Sequence, residues 1–185
     1  MSSLILEPTA QATWHRLVSE AAINAGQTLD ESRESYLVFL LMRYLQRPDI
    51  VRTVLALSFL RGMQQQGRVR QDKMQDVGDQ CLIYAGLFPE QANRRRVKLD
   101  YFISLGRSAY SCVAENTTRG CAALYHELAD TFVGLADVLN AIRADENCPL
   151  TLAEHYAATG SQYAKNQLAR YTHATLVVNT SSKAH

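Results

Sequence analysis

Glycine-rich loops, paired cysteines and long apolar runs are all missing from this chain. Each absence excludes a class of protein. Without a Gly-rich loop, the sequence lacks the usual backbone cradle for a nucleotide phosphate. The four cysteines, Cys81, Cys112, Cys121 and Cys148, stand apart. None pairs at CxxC spacing, so a structural zinc or a dithiol redox centre is not indicated. They read instead as small buried hydrophobes in a reducing compartment. The longest apolar block, Tyr36 to Met42, stops at Arg43, well short of the roughly 20 residues that span a bilayer. The first residues, Met1 to Pro8, carry no cationic start and too short an apolar stretch for a signal peptide. These features predict a cytoplasmic protein with no membrane segment. An excess of one charge is missing too. Lys and Arg number 19 against 18 Asp and Glu, a net charge of +1, whereas proteins that neutralise phosphates carry a basic excess. That balance argues against nucleic acid as the main partner.

What the chain does have is helical periodicity. At 185 residues with 47% hydrophobic content, it suits one domain with a core that needs no staples. The pattern predicts an all-α, single-domain bundle of about seven helices over residues 1–172, followed by an irregular tail over 173–185. Helix one runs from Thr9 to Ala25 and stops at Gly26. Helix two opens with a capping box, Thr28 and Glu31, and continues through an apolar body, Tyr36 to Leu45, to Pro48. Helix three starts at Pro48 and stops at Gly67. Helix four covers Arg68 to Ala85, ended by Gly86, and a short connector begins at Pro89. Helix five covers Val97 to Ala114, with Gly106 and Ala109 on one face to admit a close neighbour. Helix six, Arg119 to Ala144, is the longest and carries two apolar seams. Helix seven runs from Thr151 to Tyr171. Helix two is apolar nearly all round, which with the double seam of helix six places helices two, five and six at the centre.

Several polar clusters could hold a site. Asp72, Asp76 and Asp79 on helix four lie opposite Met74, Val77 and Cys81 on the helical wheel, so they predict a solvated face. His126, Asp130 and Asp137 share a face of helix six. An imidazole with a carboxylate one turn on can ligate a metal or act as an oriented base, so these three are the candidate metal ligands. The run His126-Glu127-x-x-Asp130 lacks the second histidine of a zinc-protease helix. Arg94, Arg95, Arg96, Lys98 and Arg107, with Tyr101 and Phe102 among them, form the candidate binding cluster for a phosphorylated ligand, an acidic partner or nucleic acid. Glu90 and Asp100 flank the run, and locally paired charges are its simpler account. Nine tyrosines fall mostly on or beside apolar stripes, where phenol rings serve a core with hydroxyls at its rim.

His15 and the nearby Glu20 stand on the first helix of an all-α chain, and Gly106 stands in Leu105-Gly106-Arg107. In these two patches the chain faintly resembles the haem oxygenase family. The resemblance implies a haem held by His15 and a distal helix at Gly106. The family's glycine-rich pattern is absent, since Arg107, Ser108 and Ala109 follow.

No catalytic constellation emerges, and no cofactor is expected. The apolar helix faces exceed what one core uses, which predicts a non-enzymatic interaction or regulatory protein that forms a helical homodimer. The alternatives are a helical enzyme or metal or haem binder using His126 and Asp130 or His15, and a nucleotide or nucleic-acid binder using Arg94 to Arg107.

Overall fold

The computed structural model describes residues 10–46, 55–89, 98–143 and 149–170, and its regular elements there are α-helices. They are α1 (Ala10–Ala25), α2 (Glu31–Gln46), α3 (Leu55–Met63), α4 (Gly67–Leu87), α5 (Leu99–Glu115), α6 (Arg119–Asp130), α7 (Phe132–Ile142) and α8 (Pro149–Thr159). A further helix, α9, covers residues 162–170. The all-α expectation holds. The Pro48 start of helix three, the connector with Arg94 to Arg96 and the tail over 173–185 lie outside the described residues.

Among the described residues the count is nine rather than the expected seven, because two long helices each break once. The expected helix six divides at Thr131. There the Thr131 hydroxyl donates to the Glu127 carbonyl at 2.6 Å, and Arg107 Nε donates to the Ala129 carbonyl at 3.0 Å. A threonine hydroxyl bonded back onto its own helix bends it, and Arg107 draws a second carbonyl outwards at the same turn. The expected helix seven divides at Gly160, whose φ is +69°. Its N–H donates to the Tyr156 carbonyl at 2.8 Å, the bond of a left-handed helix stop. Ser161 then caps α9, accepting the Ala164 N–H on its hydroxyl at 3.0 Å. Two smaller expectations also change. The cap of α2 is Asp30, which accepts the Arg33 N–H at 2.8 Å, not Thr28. Gly86 lies inside α4, where a Cβ would stand 2.5 Å from Leu139 Cβ on α7.

The centre of the bundle is α4 rather than α2. It packs against α3, α5 and α7, and every residue from Val77 to Gly86 is buried. By contrast α2 packs closely on α1 and α6, and its Phe39 is 57% exposed. Composition hid this because α4 carries Asp79 and Gln80 in its buried stretch, so no clean apolar face betrays its position. Gly106 behaves as its sequence suggests. A Cβ there would sit 2.5 Å from the Phe132 ring and 2.8 Å from Cys81 Cβ, so its absence lets α5 close on α4 and α7.

Candidate functional site

The densest polar cluster surrounds Asp79. The expectation of a solvated acidic face holds for Asp72, which is exposed, and fails for Asp79, which is 2% exposed. From Val77 to Gly86 the helix is buried on all sides, and a carboxylate in that stretch survives by finding donors. Tyr36 of α2 donates its hydroxyl to Asp79 Oδ1 at 2.5 Å, and Tyr110 of α5 donates to the same oxygen at 2.9 Å. Arg43 of α2 donates from Nη1 to Asp79 Oδ2 at 3.0 Å, and from Nη2 to Asp76. Tyr125 of α6 completes the cluster, its ring 6.1 Å from that of Tyr36 and 6.0 Å from that of Tyr110. Gly78 makes room for it: a Cβ there would fall 2.5 Å from the Tyr110 ring.

Burial pushes Asp79 up to about 6, against the pull of Tyr36, Tyr110 and Arg43. Burial, followed by the Asp79 charge, holds the Tyr36 and Tyr110 phenols well above their ordinary range. For the same two reasons Tyr125 is pushed up to about 12. The phenols therefore stay protonated, and those of Tyr36 and Tyr110 donate to Asp79. Burial pulls Arg43 down, but Asp79 and Asp76 outweigh it and the guanidinium is held above its ordinary value. The arrangement clasps α2 to α4 and α5 through side chains. It was legible only as a pairing: a run of tyrosines on stripe edges needs acceptors, and Asp79 is one.

The three candidate metal ligands do not come together. His126 and Asp130 are exposed on α6. Asp137 lies on α7, 1% exposed, with Oδ1 accepting the Ser161 hydroxyl at 2.5 Å and Oδ2 accepting the Tyr163 N–H at 3.3 Å. The break at Thr131 intervenes between them. Among the described residues, no group of three or more His, Cys, Asp or Glu is arranged to hold a metal. Burial pushes Asp137 up to about 6, opposed by its bonds to Ser161, Tyr163 and Gln162.

His15 stands 3.4 Å from Glu34 Oε1, an oxygen that also accepts the Ser19 hydroxyl. A nucleophilic relay needs the imidazole between serine and acid. Here the Glu34 carboxylate lies between them, so Ser19 has no imidazole on it. The Gly106 patch is filled by Phe132 and Cys81, and nothing there is left open as a haem wall. Of the basic cluster, Arg94, Arg95 and Arg96 lie outside the described residues, Lys98 is exposed, and Arg107 is engaged with the Ala129 carbonyl.

Among the described residues, α3 carries three exposed large apolar side chains. Its sequence, Leu55 to Met63, contains one charged residue, Arg61, and its close-packed neighbour is α4. Leu55 and Gly62 are buried, while Leu57, Leu60 and Met63 are 49%, 58% and 44% exposed. Val69, at the start of α4, is exposed as well. Among the described residues, no helix is long and apolar enough to cross a membrane. No family model, curated protein or solved structure matches the chain.

Proposed function

We propose that this protein is a non-enzymatic, cytoplasmic interaction protein that works as a homodimer joined through α3. The observation that carries the reading is the stripe Leu57, Leu60 and Met63, three large apolar side chains open to solvent on one side of a nine-residue helix. An apolar surface of this kind on a bundle marks an interaction site more often than bare surface. A second copy is the occupant that suits it. The stripe is nearly neutral and the whole chain carries only +1, so two copies meet without repulsion, and a two-fold axis sets the stripe against itself. The free thiols of Cys81, Cys112 and Cys121 fit a reducing compartment.

Sedimentation equilibrium of the full chain tests the proposal, alongside the double variant Leu57→Glu with Leu60→Glu. Both positions are exposed, so the folded monomer tolerates the change. The wild type is expected to sediment as a dimer at micromolar concentration and the variant as a monomer with unchanged circular dichroism. A wild type that remains monomeric at high micromolar concentration refutes the reading. A variant that still dimerises moves the interface elsewhere and refutes it equally.

A further inference from the structure

Where α3, α4 and α5 meet, they line an open groove of about 370 Å3, a size that admits a small organic molecule. Phe59 and Met63 of α3 give it an apolar wall, and Arg107, Ser108 and Ser111 of α5 line the other side. Arg70 of α4 reaches into it. Its Nε is buried and has no hydrogen-bond partner. Its Nη2 points at two sulfurs, Met63 Sδ at 3.5 Å and Cys112 Sγ at 3.3 Å, which are weak acceptors. Buried polar atoms in folded proteins are nearly always paired, and a guanidinium presents a planar fork that fits an oxyanion. The charge of the lining, Arg70 and Arg107 against Glu115 at the rim, leaves a single positive excess.

We infer that this groove binds a small organic carboxylate with an apolar tail. The carboxylate sits on Arg70, and the tail lies along Phe59 and Met63. A monoanion balances the single excess positive charge. A phosphate dianion would overshoot it beside Glu115 and would leave the apolar wall uncovered. The assignment goes beyond self-association: Met63 borders both surfaces, but Leu57 and Leu60 are absent from the groove lining.

The test is titration of the full chain with octanoate, followed by calorimetry and amide chemical shifts, with octanamide and inorganic phosphate as the comparison probes. Two variants accompany the wild type. Arg70→Met keeps the packing against the sulfurs and removes the fork. Ser111→Leu fills the half-buried α5 side of the groove and leaves Arg70 intact. Octanoate is expected to bind the wild type and to shift amides of α3 and α5. The two comparison probes and both variants are expected to bind about tenfold more weakly or worse; for octanamide and Arg70→Met that is the loss of one charge-assisted pair. The inference is overturned if octanoate does not bind, if octanamide or phosphate binds as tightly, or if a folded variant retains full affinity. Should Arg70→Met fail to fold, Ser111→Leu decides alone.

Discussion

Ser161 donates its hydroxyl to Asp137 at 2.5 Å while accepting the Ala164 N–H at 3.0 Å. One side chain thus caps α9 and ties it to α7. The Asp137 carboxylate stands at the amino end of α9, where unpaired N–H groups favour negative charge, yet its burial opposes ionisation more strongly.

That balance gives the pH dependence a sign. Asp137 titrates near 6 when folded and near 3.8 in the ordinary state, so between those values the folded chain holds a proton that the unfolded chain releases. Its contribution is fully present below the ordinary value and is lost as the pH rises through 6. The difference amounts to about 3 kcal/mol. Tyr163, whose N–H faces the carboxylate, has its phenol raised by burial and does not titrate in this window. Urea unfolding at pH 7.5 and pH 5 is therefore expected to show Asp137→Asn with a smaller acid-side gain in stability than the wild type. Equal gains in the two proteins would show that the carboxylate is not perturbed.

Asp79 and Asp76 share Arg43 but differ in consequence. Asp79 is buried with three donors on it, whereas the Asp76 side chain is 47% exposed. Replacing Asp79 by Asn sets an amide N–H against the Arg43 guanidinium, and is expected to cost about 2–4 kcal/mol at neutral pH. Asp76→Asn is expected to cost less than about 1 kcal/mol, as exposed pairs do. Denaturant midpoints of the two variants compare them directly. Similar losses would mean that the clasp contributes no more than a surface ion pair.

Much of the fold was written in spacing, and much of the site was not. The Gly26 stop and the close approach at Gly106 follow from single residues whose physics is local. The breaks at Thr131 and Gly160 are harder. A threonine off the apolar seams signals nothing until Arg107, from another helix, takes a neighbouring carbonyl. Asp79 was misplaced because helical-wheel reasoning assigns a charge to water, and its three donors come from residues 31 or more positions away. Exposure of the α3 stripe was equally hidden. Leu57 and Leu60 stand off the helix-three stripe of Leu55 and Phe59, and among the described residues they are 49% and 58% exposed. Nothing in the sequence around Arg70 distinguishes it from a surface cation.

Gly78 offers a steric test of the clasp. An added methyl group meets the Tyr110 ring at 2.5 Å, whereas Gly120 has nothing within 4 Å of its missing Cβ. Gly78→Ala is expected to destabilise the protein by about 1–3 kcal/mol through overpacking. Gly120→Ala is expected to stabilise it by up to about 1 kcal/mol through helix propensity. Thermal unfolding of both variants reads the contrast, and a neutral Gly78→Ala would mean that Tyr110 is free to move off α4.

The central claim is that α3 meets α3 of a second copy. Its most direct measurement is thiol cross-linking with a short bismaleimide, in a chain whose Cys121 and Cys148 are replaced by Ser. Leu60→Cys on the α3 stripe is compared with Ile23→Cys, an apolar position of α1 that is 78% exposed. The account predicts a covalent dimer from Leu60→Cys and none from Ile23→Cys. No covalent dimer from Leu60→Cys, or equal yields at the two positions, would contradict it.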